Sequence, residues 1–262
     1  MIRRPPRSTL SSSSAASDVY KRQLLTFSVM ADDHMTPPSM FPIEGIQCKY
    51  NEGMGLADLQ KTVAKWNKYM DQSVADGNPE YSAYLLSPYM IPGSEFDLDF
   101  VWFGMWSSFN DLEGITRYLS EAKDIEEEFN AVATCHTRQL APSLLVRPIE
   151  ASEAKGEGNI VQIRSCKNIG TPQETLAAFN QFSSRLDELE ADMAILLMVK
   201  GPGTSSSADY DFLQMNVSTA ATFGSLYESF WNEGSMQGLS LADAVDCGPT
   251  RIYIGTALRE NS

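Results

Sequence analysis

Asp97-Leu98-Asp99-Phe100-Val101-Trp102-Phe103-Gly104-Met105-Trp106 and Asp209-Tyr210-Asp211-Phe212-Leu213-Gln214-Met215-Asn216-Val217-Ser218 are two versions of one ten-residue pattern. Each opens with two acids flanking an apolar residue and continues as a run whose alternate positions fall into two sets. A period of two is that of a β-strand, whose side chains point to opposite faces in turn.

Further correspondences lie on both sides of these strands, always in the same order. Cys48-Lys49-Tyr50-Asn51 answers to Cys166-Lys167-Asn168, Trp66-Asn67-Lys68-Tyr69 to Phe179-Asn180-Gln181-Phe182, and Ala83-Tyr84-Leu85-Leu86 to Ala194-Ile195-Leu196-Leu197. Phe109 and Leu112 answer to Phe223 and Leu226, and Cys135 to Cys247. The series predicts an internal duplication, with one copy at 44–149, a linker at 150–158 (EASEAKGEG) and a second copy at 159–262.

Each copy reads strand, helix, strand, strand, helix, strand. Leu56, Leu59, Val63, Trp66 and Met70 recur at spacings of three and four, as one buried helical stripe requires. Phe179, Phe182, Leu186 and Leu189 do the same in the second copy, after a capping box at Thr171-Pro172-Gln173-Glu174. Strands are expected over 81–90, 98–107, 193–200 and 210–218, each bounded by turn-forming residues.

The amino terminus belongs to neither copy. Residues 1–23 (MIRRPPRSTLSSSSAASDVYKRQ) are basic and serine-rich without apolar period, and their end resembles translated adapter sequence from library construction. Residues 24–31 (LLTFSVMA) read as the remnant of a signal peptide, an apolar run closing on a small-residue cleavage pattern, and 32–43 as a flexible mature amino terminus. Export to the periplasm or outside the cell follows. The net charge is −14, of which 1–23 contribute +4 from five basic residues and one acid, so the rest of the chain carries −18. Such a field repels phosphate backbones and anionic lipid, which argues against nucleic-acid and membrane partners.

A βαββαβ unit resembles the ferredoxin-like fold. A tandem pair resembles the dimeric α/β-barrel superfamily, in which two antiparallel sheets pack as a barrel, here within one α+β chain acting as a monomeric pseudo-dimer. The strings CKYNEG, KWN and TCHT are similar to those of uncharacterised exported proteins of marine bacteria. In the ferredoxin-like order the fourth strand lies antiparallel beside the first. That order implies disulfides joining Cys48 to Cys135 and Cys166 to Cys247, with four buried thiols as the alternative.

Strand alternation also divides the candidate site. Val101, Phe103 and Met105, with Leu213, Met215 and Val217, form the face expected under the helices, as do Val161 and Ile163. Phe100, Trp102, Gly104 and Trp106 then face Phe212, Gln214, Asn216 and Ser218 across the space between the two sheets, with Gln162 and Arg164 on the polar wall. Arg251 and Tyr253 share the parity of Cys247 and are expected to join them. Trp102, Trp106, Gln162, Arg164, Gln214, Asn216, Arg251 and Tyr253 are therefore the candidate ligand-binding residues, since aromatic anchors with a few polar groups compose small-molecule sites. A filled inter-copy core is the competing reading of the same stripe.

Other groups point to less. His136 follows Cys135 and reads as structural. Two histidines leave little material for a triad or a multi-histidine metal site. Glu126-Glu127-Glu128 reads as a solvated helix face, Asp97, Asp99, Asp209 and Asp211 as turn acids, and Gly201-Pro202-Gly203 as a turn. No cofactor is expected, apart from copper at His34 should processing expose a terminus at Asp32. The expected function is an exported small-molecule-binding protein with a pocket between the two sheets. The alternatives are a cofactor-independent oxygenase or haem-handling enzyme, implied by the barrel resemblance alone, and an interaction module with a filled core.

Overall fold

A computed structural model describes residues 40–92, 97–148, 159–229, 241 and 243–260. The chain falls into two units, Met1–Pro37 and Pro38–Ser262, and every described residue lies in the second. The leader, the signal remnant, His34 and the linker at 150–158 lie outside the described residues.

The first half contains β1 (Met40–Tyr50), α1 (Leu56–Ala75), β2 (Tyr81–Met90), β3 (Phe100–Trp106), α2 (Glu113–Glu121), α3 (Lys123–Val132) and β4 (Ala133–Arg147). The second contains β5 (Asn159–Asn168), α4 (Pro172–Glu188), β6 (Met193–Val199), β7 (Phe212–Ser218), α5 (Ala220–Glu228), β8 (Val245–Cys247) and β9 (Arg251–Arg259). The helical stripe in α1 buries Leu59, Thr62, Val63 and Trp66, while Leu56 stays exposed. Burial of an aliphatic side chain of this kind contributes about 1.5–3 kcal/mol. At the start of α4 the Thr171 hydroxyl accepts from the Glu174 amide while the Glu174 carboxylate accepts from the Thr171 amide. That exchange satisfies two amides the first turn leaves free.

The expected flexible segment 32–43 is corrected at its end. Met40–Ile43 begins β1, with Pro42 and Ile43 buried, because β1 pairs with β4 as far back as Met40 opposite Leu144.

The strands run in the order β7-β6-β4-β1-β3-β2-β9-β5, and β5 pairs back to β7, so an eight-stranded antiparallel ring closes. β8 extends the sheet only at the end of β5. The halves meet at two seams, β2 with β9 and β4 with β6. Closure leaves no free edge on the ring. Cys48 is bonded to Cys135 and Cys166 to Cys247, each bridging neighbouring strands within one half.

Three apolar clusters divide the interior. One lies between the first-half sheet and α1 to α3, one lines the lumen of the ring, and one lies between the second-half sheet and its helices. Val101, Phe103, Met105, Val161, Ile163, Leu213, Met215 and Val217 belong to the lumen. Phe100, Trp102 and Trp106 lie under the helices of the first half, and Phe212 under those of the second. The division into two sets matches the expectation, but the faces are exchanged. Strands enclose the lumen around its whole circumference, so it takes the purely apolar set of β3 and β7. The helices cover the outer face with open margins, where polar side chains are tolerated.

Candidate active site

Three places receive the eight candidate ligand residues. Trp102 and Trp106 line a pocket between the first-half sheet and its own helices. Gln162, Arg164, Gln214 and Asn216 lie on the helix side of the second half, where Arg164 Nε donates to Gln214 Oε1 at 2.8 Å and Gln214 Nε2 to Asn216 Oδ1 at 2.9 Å. Tyr253 is buried in the lumen cluster, and Arg251, opposite Ile163, reaches the Ser165 hydroxyl at 3.5 Å. The expected aromatic wall and polar wall therefore do not meet. Parity within one strand relates its residues to each other; which face a helix covers is decided by the path of the chain between strands.

The sheet–helix pocket of the first half gathers aromatic and titratable side chains. Its floor is sheet, contributed by Glu44 and Ile46 of β1, Tyr81 of β2, Trp102 and Trp106 of β3 and Arg138 of β4. Its roof is helical, chiefly Val63, Trp66, Tyr69 and Met70 of α1, Ile115 and Tyr118 of α2 and Phe129 of α3. The cavity measures about 120 Å³. An apolar cavity of roughly 150 Å³ takes up benzene, so this one has the scale of a single aromatic ring.

Aromatic side chains build the walls edge to face. Trp66 meets Trp102 at 5.1 Å and 83°, Trp102 meets Phe129 at 5.8 Å and 87°, and Tyr81 lies 4.6 Å from Trp106. Trp66, Tyr81 and Trp106 are each 6% exposed and Trp102 7%, so the rings are fixed by packing rather than by solvent contact.

A polar chain crosses this wall. Trp102 Nε1 donates to the Tyr81 hydroxyl at 2.8 Å, and that hydroxyl donates to Glu44 Oε1 at 2.5 Å. Gly104, opposite Glu44 on one side and Ala83 on the other, leaves the space through which the Tyr81 ring passes. A Cβ at Gly104 would lie 1.7 Å from the Tyr81 hydroxyl oxygen. Burial holds the Glu44 carboxyl above the usual carboxylate range, opposed by the Tyr81 hydrogen bond and the Arg138 charge. Burial, followed by the Glu44 charge, pushes Tyr81 well above the ordinary phenol range. Tyr81 thus remains a neutral donor beside a carboxyl that changes charge nearer neutrality.

Across the pocket, Glu126 accepts from the Tyr118 hydroxyl at 3.1 Å and pairs with Arg138 Nη2 at 3.4 Å. Burial raises the Tyr118 pKa, with Glu126 adding to the effect. Reading Glu126 as part of a solvated face is corrected: it is half-buried, whereas Glu127 is exposed. Glu44, Tyr81 and Glu126 carry no local motif. The signal available for Glu44 was the single acid of the first strand.

The acids that open the third strands hold strand ends. Asp99 accepts from the Tyr50 amide at 2.8 Å and Asp211 from the Asn168 amide at 2.9 Å. Among the described residues no group of three or more His, Cys, Asp or Glu is placed to hold a metal.

No family model and no curated protein matches the sequence. Solved structures do. A structure named as a proposed monooxygenase of Lactobacillus acidophilus aligns with TM-score 0.51 at 11% identity, over 83% of this chain and 94% of that one. A proposed chlorite dismutase aligns at 0.49 and 9% identity, over 84% and 96%. A heme-binding protein from Thermus thermophilus aligns at 0.46 and 9%, over 85% and 95%. At such identity the likeness is one of fold, an α+β antiparallel sheet of the dimeric α/β-barrel type.

The expectation of a chain without a cofactor is corrected by these neighbours. Proteins of this fold include one described as heme-binding, so the fold offers no ground for that expectation. The described residues of this pocket do not fit a haem. Haem iron takes a His, Cys, Met or Tyr donor; His34 lies outside the described residues, His136 is exposed on β4, and the Tyr81 and Tyr118 hydroxyls are hydrogen-bonded to Glu44 and Glu126. All cysteines are in disulfides, and the sheet–helix pocket has ring rather than macrocycle dimensions.

Proposed function

We propose that the sheet–helix pocket of the first half binds a small, partly aromatic molecule and that Glu44 removes an acidic proton from it. The chain Trp102–Tyr81–Glu44 carries this reading. Tyr81 occupies Oε1 of Glu44, and among the described residues no side chain donates to Oε2, the oxygen left to take a proton. A carboxyl raised toward neutrality by burial is a better base than a solvated one, and proton transfer to a positioned side chain contributes about 10²–10⁴-fold. Aromatic walls hold a flat ring, and Arg138 beside Glu126 at the pocket margin offers a cation to negative charge developing on the ring's oxygen. Abstraction of this kind is the first step of cofactor-independent oxygenase chemistry, and the same pocket without turnover is a binding site. The remainder of the proposal is that the two halves are tandem copies forming a pseudo-dimer, and that the protein is exported. Support for export comes from the two disulfides and from the finding that no described helix is long and apolar enough to cross a membrane.

Hydrogen–deuterium exchange at the acidic benzylic carbons of 2-indanone, followed by proton NMR in deuterium oxide, tests the base. Wild-type protein should accelerate exchange, and Glu44→Gln should lower that acceleration on the order of a hundredfold while tryptophan quenching still reports binding. Equal exchange by both proteins removes Glu44 from the role.

A further inference from the structure

We infer that the lumen of the barrel is a second binding site, distinct from the sheet–helix pocket, for a compact, uncharged apolar molecule with one hydrogen-bonding end. The lumen contains a cavity of about 450 Å³ with walls from both halves, including Leu86, Phe103, Val161, Ala194, Leu196 and Met215. Protein interiors pack as densely as organic crystals and leave few voids larger than a water molecule. A space of this volume instead lies within the roughly 300–1,000 Å³ of small-molecule sites. Among its described walls Ser82, Tyr84, Ser107, Asn159 and Glu260 carry the polar groups and the rest is apolar, and apolar cavities admit apolar guests.

The cavity lies at one end of the barrel, where β1, β2, β5 and β6 begin and β3, β4, β7 and β9 finish. Toward the opposite end Val101, Ile163 and Leu213 pack onto the same apolar cluster, so the cavity has a floor and a mouth. Ser107, Asn159 and Glu260 gather at the mouth, and among the described lining residues none is lysine or arginine. The Glu260 carboxylate there disfavours an anionic guest. Serine, asparagine and Tyr84 suit a hydroxyl, amine or carbonyl end. Ala194 is the smallest side chain on this stretch of wall, and its Cβ opens on the space a guest would fill.

The neutral dye N-phenyl-1-naphthylamine, which fluoresces in apolar surroundings, provides the probe. Wild-type protein should bind it saturably at one equivalent. Ala194→Phe should raise the dissociation constant roughly tenfold or more. Ile115→Trp, which fills the sheet–helix pocket, should leave that constant unchanged. Val217→Phe, at the half-buried mouth, replaces Ala194→Phe should the latter not fold. Xenon pressurisation of crystals should place density among Leu86, Val161 and Ala194. Loss of dye binding in Ile115→Trp with retention in both lumen variants overturns the inference, as does a wild-type protein that binds no dye and holds no xenon in the lumen.

Discussion

Gly104→Ala should be among the most damaging single-methyl additions in this protein. An alanine Cβ would stand 1.7 Å from the Tyr81 hydroxyl oxygen, 2.3 Å from Cζ and 2.7 Å from Cε2, against the 3.5–4.0 Å at which non-bonded carbons rest. The ring has little freedom to yield, since Trp66 packs on it edge to face at 5.9 Å and Trp106 lies 4.6 Å away. Moving it breaks the hydrogen bonds to Glu44 and from Trp102, leaving two interior polar groups unpaired at about 1–3 kcal/mol each. Overpacking adds about 1–3 kcal/mol. Urea unfolding monitored by tryptophan fluorescence should therefore show a loss of about 3–9 kcal/mol, a large share of the ~5–15 kcal/mol typical of a domain. In a Tyr81→Ala background the obstructing ring is gone, and the same substitution should cost less than about 1 kcal/mol, which a double-mutant cycle would register as strong coupling. A loss below about 1 kcal/mol in the wild-type background would refute the idea that Gly104 holds the passage open for Tyr81.

Glu44 sets a pH dependence whose sign is defined. Its folded pKa is raised, so the folded state holds the proton more tightly than the unfolded chain, and this group's contribution falls as pH rises from the unfolded value through the folded one. Subtracting the stability–pH curve of Glu44→Gln from that of wild type should leave a difference declining over that interval; a flat or rising difference contradicts the burial of the carboxyl. Trp106→Ala removes a ring packed against Tyr81 and should cost about 3–5 kcal/mol as well as weakening ligand binding, measured by denaturation and by quenching of the remaining tryptophans. Peptide mapping without reductant should recover Cys48 with Cys135 and Cys166 with Cys247. Replacing either pair by alanine should cost on the order of 4 kcal/mol, because the bridges span separations of 87 and 81 residues.

Element types and order were legible in the residues. The strand expected over 81–90 is β2 without adjustment, and those expected over 98–107 and 210–218 begin two residues later, where the Asp99 and Asp211 carboxylates accept from the amides of Tyr50 and Asn168 at the ends of β1 and β5. The stripe in α1, apart from the exposed Leu56 at its start, and the capping box of α4 are local features, written in spacings of three and four, and they fold as read. Glu126 was misread because a run of three acids shows no preference among its members. The helix turn alone puts Glu127 toward water and Glu126 beside Tyr118.

Alternation by itself determined which residues of β3 and β7 share a face, and cysteine positions together with the strand order of the resembled fold pointed to the two bridges. The tertiary structure alone decided which face is covered by helices and which is enclosed by strands. Both faces of β3 are apolar, so periodicity gives the helix stripe of α1 no preference between them. The selection is made by ring closure, through the pairing of β5 with β7 and the seams at β2–β9 and β4–β6. Closure shuts Val101, Phe103 and Met105 inside the barrel. It also puts Trp102, Gly104 and Trp106 under α1, where Tyr81 can cross Gly104 to Glu44, a meeting of three strands that pairing creates and that no single stretch of sequence encodes.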